Sequence, residues 1–146
     1  MSPDGASLLD RARAWLDDDP DPDTRTALDR LLDAAGSGDE GAALELNDAF
    51  DGRLEFGTAG LRGALGPGPN RMNRAVVARA AAGLAAYVNA QPGTGRTVVI
   101  GYDARHKSDA FARDTAEVME GAGIHAFVLP RPLPTPVLAY AIRHLG

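Results

Sequence analysis

The sequence predicts an α/β fold over residues 52–146, with a mixed, mainly parallel sheet and flanking helices, preceded by a helical N-terminal extension over residues 1–51. Three observations predict it. Two short apolar runs, Thr97–Ile100 and Ile124–Leu129, are separated by one amphipathic helical segment, and strand–helix–strand units of that length pair in parallel with a right-handed crossover. The first fifty residues carry only helical periodicity. The charge also changes character between the two parts. Residues 1–51 hold 14 acids against 4 arginines, a net of −10, whereas residues 52–146 hold 6 acids against 11 bases, a net of +5.

Each element has a local reason. Leu8, Leu9, Ala12, Trp15 and Leu16 recur at helical spacing behind Ser7, a side chain suited to an N-cap. The stretch DDDPDPD (17–23) reads as a linker, after which Asp23 or Thr24 caps a helix carrying Ala27, Leu28, Leu31 and Leu32 up to Gly36. A third helix carries Ala42, Ala43, Leu46 and Phe50 and leaves through Asp51-Gly52. Arg11 and Asp29 read as solvated faces. Residues 53–56 form a short strand that runs into a glycine-rich segment, then the breaker GPGPN (66–70). Asn73 caps a long helix with Val76, Val77, Ala80, Ala81, Leu84, Tyr87 and Val88 inward, Gly83 allowing close packing and Pro92-Gly93 ending it. The run Thr97–Ile100 has the composition of a strand buried on both faces. Ser108 caps a helix with Phe111, Thr115, Val118 and Met119 inward, stopped by Gly121 and Gly123. After the second strand, Thr135 caps and Pro136 starts a last helix with Val137, Leu138, Ala141, Ile142 and Leu145 inward.

Composition removes several function classes. The chain of 146 residues has no cysteine, which excludes disulfides, thiolate zinc sites and a cysteine nucleophile. Aromatic residues make up 5%, too few for a base-stacking platform, and the basic residues form no stripe, so a nucleic-acid partner is not expected. No apolar run approaches the roughly 18 residues that span a bilayer, and the acidic start lacks the apolar core of a secretory signal. A cytoplasmic protein with no membrane partner is the expectation. His106, His125 and His144 have no metal-ligand spacing, and Glu117 and Glu120 read as a solvated helix face.

Two segments carry chemistry. In Gly57-Thr58-Ala59-Gly60-Leu61-Arg62-Gly63, three glycines free the backbone for a tight turn whose N–H groups suit an anion. Arg62 adds a fork of donors matched to phosphate oxygens. On the glycines alone, a hairpin turn with a surface arginine is the simpler reading. The second segment, Gly101 to Ser108 (GYDARHKS), follows a strand and precedes a helix. It resembles a phosphate-binding P-loop but has His106 where the wrap of amides around a phosphate needs glycine. There Asp103 and Arg105 pair to shape the loop. A P-loop-like nucleotide-binding domain and a non-catalytic interaction module built on the acidic helices are the alternatives to the reading below.

The motifs together carry a resemblance. FGTAGLRG (56–63) closely resembles the signature near the start of the α-D-phosphohexomutases, the phosphoglucomutase and phosphomannomutase superfamily. With GPGPNRMN (66–73) it is most similar to the phosphoglucomutase-2-type branch. GYDARHKS (101–108) and Leu133-Pro134-Thr135-Pro136-Val137 resemble later segments of the same domain, so the resemblance covers residues 53–146.

The resemblance implies a four-domain enzyme that moves a phosphoryl group between the 1 and 6 oxygens of a hexose phosphate through a phosphoserine. It implies that this chain is most of domain I, truncated before the catalytic serine loop, so that the phosphoserine lies beyond Gly146 and this chain alone is inactive. It assigns substrate binding to Arg62 and Thr58, and a structural loop to Asp103 and Arg105. Mg2+ and a hexose 1,6-bisphosphate activator are implied for the full-length parent, with none bound to this chain. The implied partners are a phosphorylated hexose and the missing C-terminal domains. An uncovered sheet edge adds an expectation of self-association.

Overall fold

The computed structural model describes residues 7–57, 60–93 and 95–145. Two compact units divide at Val76 and Val77, inside the first long helix after the glycine-rich segment rather than where the charge changes. Among the described residues no helix is long and apolar enough to cross a membrane.

The first unit is built on α1 (Leu8–Asp18), α2 (Pro22–Gly36) and α3 (Glu40–Phe50). Each begins at a side chain that takes up an orphan backbone N–H. Ser7 and Asp10 form a reciprocal capping box on α1, Asp21 caps α2 with Pro22 in its first turn, and Asp39 caps α3. The cap of α2 is therefore Asp21, not Asp23 or Thr24. The DDDPDPD stretch is no loose linker either. Asp19 and Asp21 are buried, and Asp19 accepts from Thr24 Oγ1 at 2.7 Å and from the Asp21 amide at 3.0 Å. The two carboxylates thereby take up backbone and hydroxyl donors at the corner between α1 and α2. Trp15, Leu28, Leu46, Ala49 and Phe50 form the core, with Trp15 and Phe50 edge to face at 6.1 Å. Ala27 and Ala43, expected inward, are exposed. Arg11 is exposed but not simply solvated, since Nη1 donates to the Phe50 carbonyl at 3.3 Å near the end of α3.

Behind α3, β1 (Phe56–Gly57) pairs antiparallel with β2 (Gly60–Leu61), with Phe56 opposite Leu61. Within the glycine-rich signature, residues 56–57 and 60–61 thus form a short antiparallel pair. The GPGPNRMN segment leads from it into α4 (Arg74–Ala90), whose first turn closes the first unit.

The second unit holds the rest of α4, β3 (Thr97–Ile100), α5 (Ser108–Gly121), β4 (His125–Val128) and α6 (Thr135–Leu145). β3 and β4 pair in parallel, Thr97 opposite His125 and Ile100 opposite Val128, as the strand–helix–strand spacing requires. Ala81, Ala85, Met119 and Ile124 are the buried core, surrounded by Val98, Val118 and Ala126. The inward face of α4 therefore carries alanines, while Leu84 and Tyr87 are exposed, because small side chains let the helix approach its neighbours closely. Gly83 is not a close-packing position, as nothing lies within 4 Å of where its Cβ would be.

The strands are less buried than their composition suggests. β3 is half-buried and Phe127 and Val128 of β4 are exposed. The α6 side chains expected inward do not form a core. Leu138 lies near Gly101, but Val137, Ile142 and Leu145 are exposed and no residue of α6 is buried. Thr135 is the first residue of that helix. On the outer edge of β4 the Ala126 amide, which alternation turns away from β3, donates to Glu120 Oε1 at 2.7 Å. Glu120, with His125 Nδ1 3.1 Å from the same oxygen, thereby closes part of that edge.

Candidate functional site

The first candidate site is the hairpin and the segment behind it. Leu61 leads out of β2 to Arg62, which is exposed and has no hydrogen-bond or ion-pair partner among the described residues. A guanidinium held at a hairpin shoulder with its five donors available is suited to an anion of the size and charge of a phosphate. Thr58 lies outside the described residues.

The hairpin is short, and its base is tied down by the chain that follows. The Leu54 amide donates to the Pro69 carbonyl at 2.9 Å, and the Met72 amide to the Ala64 carbonyl at 2.8 Å. Leu54 packs on Gly63, where a Cβ would stand 2.6 Å from its Cδ1. The same segment docks on the end of α3. The Asn70 amide donates to Ala49 O at 3.1 Å, Asn70 Nδ2 to Asp48 O at 3.0 Å, and Arg71 forms an ion pair with Asp48. These bonds take up carbonyls that a helix end otherwise leaves without partners. Gly68 makes the approach possible, with φ +96° and an ideal Cβ position only 2.6 Å from Ala49 O.

At the centre of this segment is Asn73, 1% exposed. Its Oδ1 accepts from the Val76 amide at 2.9 Å and so caps α4. Its Nδ2 reaches back to Gly66 O at 2.9 Å and Gly68 O at 2.8 Å. The cap was legible in the sequence. The two donations to the loop were missed, and the only local signal for them is an asparagine, rather than an acid, at the cap.

The second candidate is the loop between β3 and α5. Asp103 Oδ1 accepts from Ser108 Oγ at 2.6 Å and from the Arg105 amide at 3.0 Å, and Arg105 Nη1 lies 3.4 Å from Asp103 Oδ2. The structure thus brings Asp103, Arg105 and Ser108 together. Ser108 is the first residue of α5 and not its cap, which is Lys107 in the left-handed region at φ 63°. A carboxylate held beside the first residue of the helix stands where a P-loop would receive a phosphate, so a nucleotide-binding reading is not favoured. The Ser108 hydroxyl, followed by the Arg105 amide, holds the Asp103 carboxyl below the ordinary carboxylate range. The ordering these bonds give the loop is complete above the ordinary carboxylate pKa and is lost as pH falls through the depressed value. In Ser108→Ala the Asp103 carboxyl carbon should titrate closer to the ordinary value in an NMR pH series, and an unchanged midpoint would contradict this cause.

No three histidine, aspartate or glutamate side chains come together as a metal-binding group among the described residues.

Comparison with known proteins locates the chain. The family model described as phosphoglucomutase/phosphomannomutase, alpha/beta/alpha domain I, matches residues 53–146. A probable phosphomannomutase of Haemophilus influenzae is 59% identical over 76 residues, which is 50% of this chain and 15% of that protein. A phosphoglucomutase of Staphylococcus aureus strain RF122 is 40% identical over 105 residues, 72% of this chain and 19% of that protein. The chain therefore spans less than a fifth of the length of these curated relatives. No solved structure matches it.

Proposed function

The chain belongs to the phosphoglucomutase/phosphomannomutase family, with that family's α/β/α domain I over residues 53–146, and on that premise we propose that it supplies a phosphate-holding wall of a phosphohexomutase. The complete enzyme interconverts hexose 1-phosphate and hexose 6-phosphate. A phosphoserine passes its phosphoryl group to the free hydroxyl oxygen of the sugar phosphate. The resulting bisphosphate reorients and returns its other phosphoryl group to the serine, so one phosphoryl group stays on the enzyme in each cycle. Arg62 neutralises charge on the phosphate during transfer, an electrostatic and positioning role that requires no proton movement. Thr58, in the same signature segment of the sequence, is assigned to substrate binding with it. Asp103 and Arg105 act at one remove, by shaping the loop after β3.

The observation that supports this reading is the exposed guanidinium of Arg62 on the glycine-bounded hairpin of the domain I match. We assign Mg2+, the reactive serine and the hexose 1,6-bisphosphate activator to the complete enzyme. A cytoplasmic location suits a substrate whose charge keeps it from crossing a bilayer unaided. The test is a coupled assay with glucose 1-phosphate or mannose 1-phosphate and the matching bisphosphate. The complete mutase should turn over one of them and the 146-residue chain neither, because the chain spans less than a fifth of the length of the mutases it matches. Turnover by the chain alone, or none by the complete protein, would overturn the reading.

A further inference from the structure

The hairpin that carries Arg62 has little to hold its direction. β1 and β2 contribute two residues each, and a two-stranded hairpin of that size is marginal without support. Both of its feet rest on residues 69–72, Leu54 through the Pro69 carbonyl and Ala64 through the Met72 amide. The conformation of residues 66–72 is therefore what aims the hairpin. Within that segment, Gly66 and Gly68 have positive φ values of 159° and 96°, and the carbonyls of both are bonded to one buried side chain.

We propose that Asn73 is a positioning residue for Arg62: its amide fastens the Gly66 and Gly68 carbonyls to the start of α4 and so fixes the feet of the hairpin. It touches no substrate. Its effect passes through Pro69 and Met72 to Leu54 and Ala64, and from there along the hairpin to the guanidinium. Helix α3 shares in this, because its end receives Asn70 and Arg71 from the same segment. The end of α3 then forms part of the platform on which the signature is mounted. The inference rests on the proposed role of Arg62 for its catalytic consequence, and on geometry alone for the fixing of the hairpin.

Asn73→Asp leaves an oxygen for the Val76 amide and removes both Nδ2 donors, and Asn73→Ser keeps such an oxygen with a single, shorter O–H donor in place of the two. In the full 146-residue chain, amide exchange at Leu54 and Met72 should quicken by about 10-fold or more, with α1–α3 and β3–β4 held within about twofold. Unchanged exchange at Leu54 and Met72 would overturn the proposal. So would a uniform rise through α1–α3, which would make Asn73 a general stabiliser of the first unit. In the complete mutase, Arg62→Ala combined with Asn73→Asp should lose no more than about twofold beyond Arg62→Ala alone, because both changes remove one interaction. Losses that multiply would overturn the proposal. If Arg62→Ala leaves turnover intact, the assignment of Arg62 fails instead, and exchange at Leu54 and Met72 decides whether Asn73 fixes the hairpin.

Discussion

Replacing Arg62 with alanine in the complete mutase is expected to lower kcat by about 10²–10³-fold, the usual consequence of removing one preorganised donor from developing negative charge. The loss should fall on turnover more than on folding. Arg62 is exposed and bonded to nothing among the described residues, so the thermal transition of the variant should match that of the parent. Arg62→Lys should recover only part of the activity, because an ammonium keeps the charge but gives up the planar fork that engages two phosphate oxygens together. Parental turnover in Arg62→Ala would remove this residue from the site.

The largest effect on stability is expected at Gly68. A methyl group there meets the Ala49 carbonyl oxygen at 2.6 Å and Phe50 Cε2 at 3.1 Å, and the backbone stands at φ +96°. Neither neighbour can move easily, since one is helix backbone and the other a core ring. Gly68→Ala should therefore cost roughly 2–4 kcal/mol, combining left-handed strain with displacement of the segment from α3. Trp15, the single tryptophan, lies in the core of the same unit and reports its unfolding in urea by fluorescence. Gly36→Ala is the control. Gly36 closes α2 with nothing within 4 Å of its Cβ position, so the change should be neutral or stabilising by up to about 1 kcal/mol. Equal midpoints for the two variants would contradict the docking of Gly68 on α3.

How far the sequence could be read followed from the range of the interactions. The N-caps Ser7 and Asn73 and the parallel pair β3–β4 depend on neighbours in sequence or on a strand–helix–strand spacing, and they were legible. Asp21 was displaced by Asp23 as the expected cap because the buried pair of Asp19 and Thr24, which sets the corner, is a matter of packing. On α4 the apolar stripe was visible, but choosing Ala81 and Ala85 over Leu84 and Tyr87 needs the distance to the neighbouring elements. For α6 the amphipathic pattern was equally clear, yet nothing among the described residues buries Ile142 or Leu145. At the candidate site the glycines and Arg62 could be picked out as a unit. That GPGPNRMN is an ordered base and not merely a break could not, since it depends on Asn73, Gly68 and Arg71 meeting partners at Gly66, Ala49 and Asp48.

A crystal structure of the complete mutase with a hexose 1,6-bisphosphate bound would show directly whether Arg62 holds phosphate. The Arg62 guanidinium should lie about 3 Å from an oxygen of the sugar-borne phosphate or of the phosphoserine. A hairpin that directs Arg62 into solvent, with the phosphate held wholly by other residues, would contradict it.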